Sequence, residues 1–135
     1  MTEKSVAAKL LIAAGDVVWI SDPGRSALLG GLPAGTRLDR GAEPGEDVRV
    51  AVVVADDEAT VHRVLGTAIA RLRTVPVLWV AYPKGGRSDI NRDTLWPILA
   101  REGLRPITQV AIDGTWSALR FRPLRPDEPP FGGAA

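Results

Sequence analysis

The sequence predicts a small α/β domain in three layers, with a mainly parallel sheet that ends in an antiparallel hairpin. Three observations carry that expectation. "VRVAVVVAD", residues 48–56, is a nearly continuous apolar run between loops, the pattern of a strand covered on both faces. A helical stripe follows it and leads into "PVLWVAY", residues 76–82, so the order strand, helix, strand demands a parallel pair with a right-handed crossover. Near the end, Asp113-Gly114 separates two strand-like runs, a hairpin signal of the turn type whose central residues need positive φ.

Each element has its own signal. Ser5 caps a short helix running through Lys9 to Leu11, and Gly15 precedes "DVVWIS", a β-branched and aromatic first strand. "DPGRSALLGGLPAG" reads as a turn followed by one or two helical turns, and "TRLD" as a short strand. "RGAEPGED", residues 40–47, mixes Gly, Pro and charge without an apolar period, which marks a surface loop. After the central strand, Asp56 or Asp57 caps a helix in which Val61, Val64, Leu65, Ala68 and Leu72 recur at the spacing of one buried stripe. Acids at its start and Arg71 and Arg73 at its end match the helix dipole.

"TLWPILAREG", residues 94–103, is the last helix. Asp93 or Thr94 is its expected cap, Pro97 suits the first turn because it has no N–H, and Gly103 ends the helix in a left-handed conformation. "RPITQVAIDGTWSALRFRP" then forms the hairpin. With a two-residue turn, Trp116, Ala118, Arg120 and Arg122 share one face and Arg105 lies opposite Arg122. Like charges so opposed are unfavourable, which calls for an acid from the tail, a ligand or a partner, or for solvent screening. Residues 1–124 make one domain, and "RPDEPPFGGAA", 125–135, has too much Pro and Gly to pack and reads as a flexible tail.

Composition narrows the function. At 135 residues, 45% apolar and 24% charged, the chain has globular averages. Its apolar runs fall short of a bilayer span, and the N-terminal stretch reads as the first helix of a cytoplasmic protein. The absence of cysteine excludes disulfides, zinc-thiolate sites and a thiol nucleophile, and a single histidine, His62, leaves little room for metal sites or triads. His62 reads as a surface helix residue, and no metal or cofactor is expected. The net charge of +1 gives no field to recruit nucleic acid. Positive charge is concentrated in residues 84–125, where eight basic side chains face four acidic ones.

The order of helix, Gly-led strand, parallel units and closing hairpin resembles a shortened Rossmann-like fold of the class I methyltransferases. "YPKGGRSDINRDTLWPIL", "QVAID" and "WSALRFRP" resemble the bacterial family grouped as domain of unknown function three-zero-five-two. That resemblance implies a fold and no catalytic residues. The glycine fingerprint that lets a backbone approach a dinucleotide is absent, since the turn after the first strand reads "WISDPGRSALLGG". Loss of that turn argues against S-adenosylmethionine or NAD in the usual geometry, although Asp39 stands where a ribose-binding acid would.

In open α/β sheets ligands sit beyond the carboxyl ends of strands, which is where residues 84–93 are expected. Gly85 and Gly86 permit backbone conformations closed to other residues, and the following helix start offers N–H groups to an anion. Lys84, Arg87 and Arg92 add positive charge, and Arg87 can clamp a phosphate or carboxylate as a fork. The competing structural account has Asp89 and Asp93 neutralise these cations while Ser88, Asn91 and Thr94 satisfy the loop backbone. No Walker spacing is present, because Lys84 precedes the glycines. Asp56 and Asp57 resemble the acid pair of a phospho-receiver, but helix capping explains them. Trp19 and Trp79 are expected in the core, and Trp96 and Trp116 as possible pocket walls.

The expected function is therefore a non-catalytic or regulatory module. It binds a small anionic ligand or acidic partner through Lys84, Gly85, Gly86, Arg87, Ser88, Asn91 and Arg92, with Trp116 beside them. The alternative is a small diverged transferase using Asp89 or Asp93 as acid-base and Arg87 as electrostatic stabiliser. A homodimer through the C-terminal hairpin, with the last strand as its edge, is compatible with either.

Overall fold

The computed structural model describes residues 4–129. The β-branched runs form strands β1 (Val17–Ile20), β2 (Arg37–Asp39), β3 (Val50–Val54), β4 (Val77–Pro83), β5 (Leu104–Ala111) and β6 (Trp116–Pro123). Helices α1 (Val6–Lys9), α2 (Glu58–Leu72) and α3 (Arg92–Ala100) and a 3₁₀ segment, Pro23–Leu29, complete the set. The strands join one sheet in the order β2-β1-β3-β4-β6-β5. The pairs β1–β2, β1–β3 and β3–β4 are parallel, and β6 lies antiparallel between β4 and β5.

Both faces of the sheet are covered, as a fully buried central strand requires: all five residues of β3 are buried. On one face Ala51, Val53, Leu78, Val80 and Phe121 meet the α2 stripe Val61, Val64, Leu65, Ala68 and Leu72, together with Leu95 and Leu99 of α3. On the other, Val18, Ile20, Val52, Trp79 and Ala118 meet Leu10 and Ile12 after α1 and Leu29 of the 3₁₀ segment. The Trp79 indole N–H donates to the Leu10 carbonyl at 2.9 Å and so ties α1 to the sheet. Trp19 is buried likewise and donates to the Gly41 carbonyl at 2.8 Å, anchoring the 40–47 loop. No helix among the described residues is long and apolar enough to cross a membrane.

Three expectations need correction. The α3 cap is Asn91, not Asp93 or Thr94: its side-chain oxygen Oδ1 accepts from the amides of Asp93 and Thr94, and the Thr94 hydroxyl accepts from the Asn91 backbone amide. An earlier start displaces Pro97 from the first turn into the helix interior, where it deletes one backbone hydrogen bond. The hairpin turn is longer than two residues. Asp113 closes it by accepting from the amides of Thr115 and Trp116 at 2.7 and 2.8 Å, and Gly114 is not among the glycines with positive φ.

Arg105 nevertheless pairs with Arg122, because a bulge between Pro106 and Thr108 absorbs the one-residue shift that the longer turn introduces. β6 is interior, so β5 is the edge that the hairpin offers to a partner. The segment expected to be a flexible tail begins, over residues 125–129, with Glu128 held by Arg105 and Arg122; residues 130–135 lie outside the described residues.

Candidate functional site

Because β1, β3 and β4 run parallel and β6 starts opposite the end of β4, four loops converge on one edge of the sheet. Asp22 caps the 3₁₀ segment after β1, accepting from the Gly24 amide at 3.2 Å, with Pro23 at its first position. Arg25 follows and knits three strand ends together. Its guanidinium pairs with Asp56 after β3 at 2.9 Å and Asp22 at 3.5 Å, and lies over the Trp116 ring of β6, 5.1 Å from the centroid. A cation on a ring face is attracted by the ring quadrupole, so the stack holds the first loop against the hairpin.

This arrangement walls a cleft of about 480 Å³ between the first loop and the hairpin turn, lined by Val6, Arg25, Ala27, Leu28, Ile112, Asp113 and Trp116 among others. The volume suits a small molecule, and the lining joins an apolar floor to a few polar groups. On the opposite side of the same edge, where the chain leaves β1 toward β2 and later returns to β3, a polar recess of about 290 Å³ is lined by Ser21, Asp22, Asp56, Thr60, Arg63 and neighbours.

The loop 84–93 divides into two parts. Its first part is tied to Thr115, the neighbour in sequence of the cleft residue Trp116. The Lys84 amide donates to the Thr115 carbonyl at 2.8 Å, and Arg87 donates to the Thr115 hydroxyl at 3.2 Å, next in sequence to Trp116. Gly85 and Gly86 have φ of 78° and 73°, a conformation that side chains with a Cβ disfavour, so these glycines make the turn between Lys84 and Arg87.

The second part serves the scaffold. The Ser88 hydroxyl donates to the Asp56 carbonyl and accepts from the Ile90 amide. Asp89 accepts from the Glu58 amide at 2.8 Å, adding a second carboxylate to the start of α2 beside its cap Asp57. The Asn91 side chain takes the amides of Asp93 and Thr94 at the start of α3, so two of the N–H groups expected to greet an anion there are already bonded. Arg92 points elsewhere, into a groove of about 430 Å³ along β5 with Arg105, Thr108 and Gln109.

Other candidates resolve into structure. Both oxygens of Asp39 accept loop amides, from Gly41 and Gly45 at 2.9 Å each, which leaves the carboxylate organising its own loop. Hydrogen bonds from the side chain and backbone of Thr60 hold the Asp57 carboxyl below its ordinary range, as expected of a helix cap. His62 is exposed and faces Glu58 at 3.4 Å on the surface of α2. Trp96 is half-buried against the core cluster beneath α3. Among the described residues no group of His, Cys, Asp and Glu is placed to hold a metal. The sequence reading missed Arg25, Leu28 and Ile112; the available signal was the cation three residues after a strand-end Asp, in "SDPGR".

No family model and no curated protein matches the chain. Among solved structures it is similar to a protein of the NADB-Rossmann superfamily from Streptococcus agalactiae, at 10% identity and a TM-score of 0.57, over 90% of this chain and 69% of that one. It is also similar to a Streptococcus pneumoniae protein described as a candidate tRNA (m1A22) methyltransferase, at 16% identity and a TM-score of 0.55, over 91% of this chain and 71% of that one. At such identities the likeness is one of fold. The chain is Rossmann-like, and the finer resemblance to family three-zero-five-two has no matching family model behind it.

Proposed function

We propose that the chain is a ligand-binding module whose site is the cleft between the first loop and the hairpin turn, taking a small molecule with an apolar or aromatic body and an anionic group. One observation carries this reading. Thr115, next in sequence to the cleft residue Trp116, is hydrogen-bonded to both the Lys84 amide and the Arg87 guanidinium. Among the described residues neither cation has a carboxylate within ion-pair distance, whereas Arg25 is already matched by Asp22 and Asp56. The body of a ligand packs in the cleft, and its charge meets Lys84 and Arg87.

Thermal unfolding with a panel of phosphates, nucleotides, acyl carriers and S-adenosylmethionine tests it. A ligand that binds only the folded chain, at about a hundred times its dissociation constant, adds about 2.7 kcal/mol. The shift is expected to vanish in Ala27→Trp, which fills the cleft, and to shrink in Lys84→Ala/Arg87→Ala. A hit unaffected by either variant counts against the assignment.

A second reading, a diverged methyl transferase, is favoured by the polar recess at the β1–β3 reversal, where open sheets of this kind bind cofactors, and by the candidate methyltransferase among the fold neighbours. The local geometry gives it less support. The amides of Gly24 and Arg25 are bonded within their own loop to Asp22, and Asp89 is committed to the start of α2, which leaves it poorly placed as a base. Stabilisation by S-adenosylmethionine that survives Ala27→Trp but is lost in Arg63→Ala favours this reading over the first.

A further inference from the structure

Away from the cleft, the sheet face of the hairpin carries a second concentration of positive charge. Arg105 and Arg122 lie directly opposite each other on β5 and β6, and Arg120 is two residues along β6 on the same face, about 7 Å away. The Glu128 carboxylate joins two members of this group. Glu128 receives both Arg122 terminal nitrogens at 2.8 and 2.7 Å, and Arg105 and the Arg125 amide bond to it as well. The Nε of Arg120 is buried without a hydrogen-bond partner, an exception that a native structure leaves for a water or ion to explain.

Opposed arginines on neighbouring strands repel unless an anion lies between them, so this position needs an occupant. Glu128 divides its single negative charge between Arg105 and Arg122, and the buried Arg120 Nε has no hydrogen-bond partner. A phosphate or diphosphate offers the same fork geometry to Arg122 with more charge and more oxygens, and it reaches Arg120. The tether of Glu128 is short, because a turn brings it back within six residues of Arg122. As an internal competitor it acts at an effective concentration of order millimolar, and only a ligand with additional contacts displaces it.

We propose that Arg105, Arg120 and Arg122 form an anion site for phosphate or polyphosphate groups, separate from the cleft, which Glu128 fills from within the chain and yields to such a ligand. Calorimetric titration of the full chain with inorganic pyrophosphate at fixed ionic strength tests this. Glu128→Gln is expected to bind at least about tenfold more tightly than the unaltered chain. Adding Arg120→Met removes the gain, and adding the charge-matched Arg101→Gln keeps it. Equal affinity with and without Glu128, or a gain that survives Arg120→Met, overturns the proposal. A measurement on the unaltered chain guards against a variant that does not fold: pyrophosphate is expected to speed hydrogen exchange at the Arg125 amide, which Glu128 holds, whereas chloride of equal ionic strength is not. An unchanged exchange rate also overturns it.

Discussion

Trp79 shows how much one polar atom decides in a buried place. Its indole N–H is the partner of the Leu10 carbonyl, and its ring is fully buried between α1 and the sheet. Trp79→Phe leaves that carbonyl without its donor, so a loss of about 1–3 kcal/mol is expected by urea unfolding. A loss of only a few tenths would mean that water or another donor takes over and that α1 is not held by this bond. Glu128 gives a pH signature. Hydrogen bonds from Arg122, from the Arg125 amide and from Arg105 hold its carboxyl far below the ordinary value of 4.5. Because the folded pKa is the lower one, the contribution is complete above about pH 4.5 and is lost as pH falls toward the folded value. The stability difference between the unaltered chain and Glu128→Gln is therefore expected to be flat at neutral pH and to narrow below that point; a difference that narrows on raising pH contradicts the clamp.

Among the elements, legibility followed the range of the interaction. The α2 stripe was readable because a 3.6-residue period reports one buried face, and all five stripe residues are in the core. The start of α3 was misread because Asn91, Asp93 and Thr94 all suit a cap; Asn91 with Thr94 three residues on makes the reciprocal pair that decides among them. Asn91→Ala is accordingly expected to cost about 0.5–2 kcal/mol, and Thr94→Ala part of it, in denaturant titrations. If Asp93→Ala costs more than Asn91→Ala, the helix start is misplaced. The Arg105–Arg122 pairing was legible although the turn was not, since a bulge at Ile107 offsets the longer loop. Deleting Ile107 removes the extra residue and leaves Pro106 opposite Phe121 and Arg105 opposite Arg122, so the pH signature of Glu128 is expected to persist; its loss would mean that the bulge itself holds the pair.

At the scale of the whole molecule, the sheet and its class followed from local patterns, while the cleft did not. Its walls come from residue 6, residues 24–30 and residues 112–116, which no short window brings together. The loop 84–93 carried the right charge, yet half of it serves the helix caps. Both sheet edges are guarded: β2 is only three residues long, and β5 carries Pro106 and a bulge. A dimer through the hairpin would have to form on β5, and Ile107→Lys, at a residue 46% exposed on that edge, is expected to abolish any concentration-dependent association seen by sedimentation.

The central claim is the location of the ligand, and nitrogen-labelled tryptophan indoles report it directly. Trp19 and Trp79 are locked to internal carbonyls, Trp96 packs from α3 against the core, and Trp116 lines the cleft. In a titration with phenyl phosphate, the smallest probe with an aromatic body and a phosphate, the Trp116 indole resonance is predicted to shift in a saturable manner while those of Trp19 and Trp79 stay in place. Saturable binding that leaves Trp116 unmoved, or no binding at millimolar probe, would contradict the account.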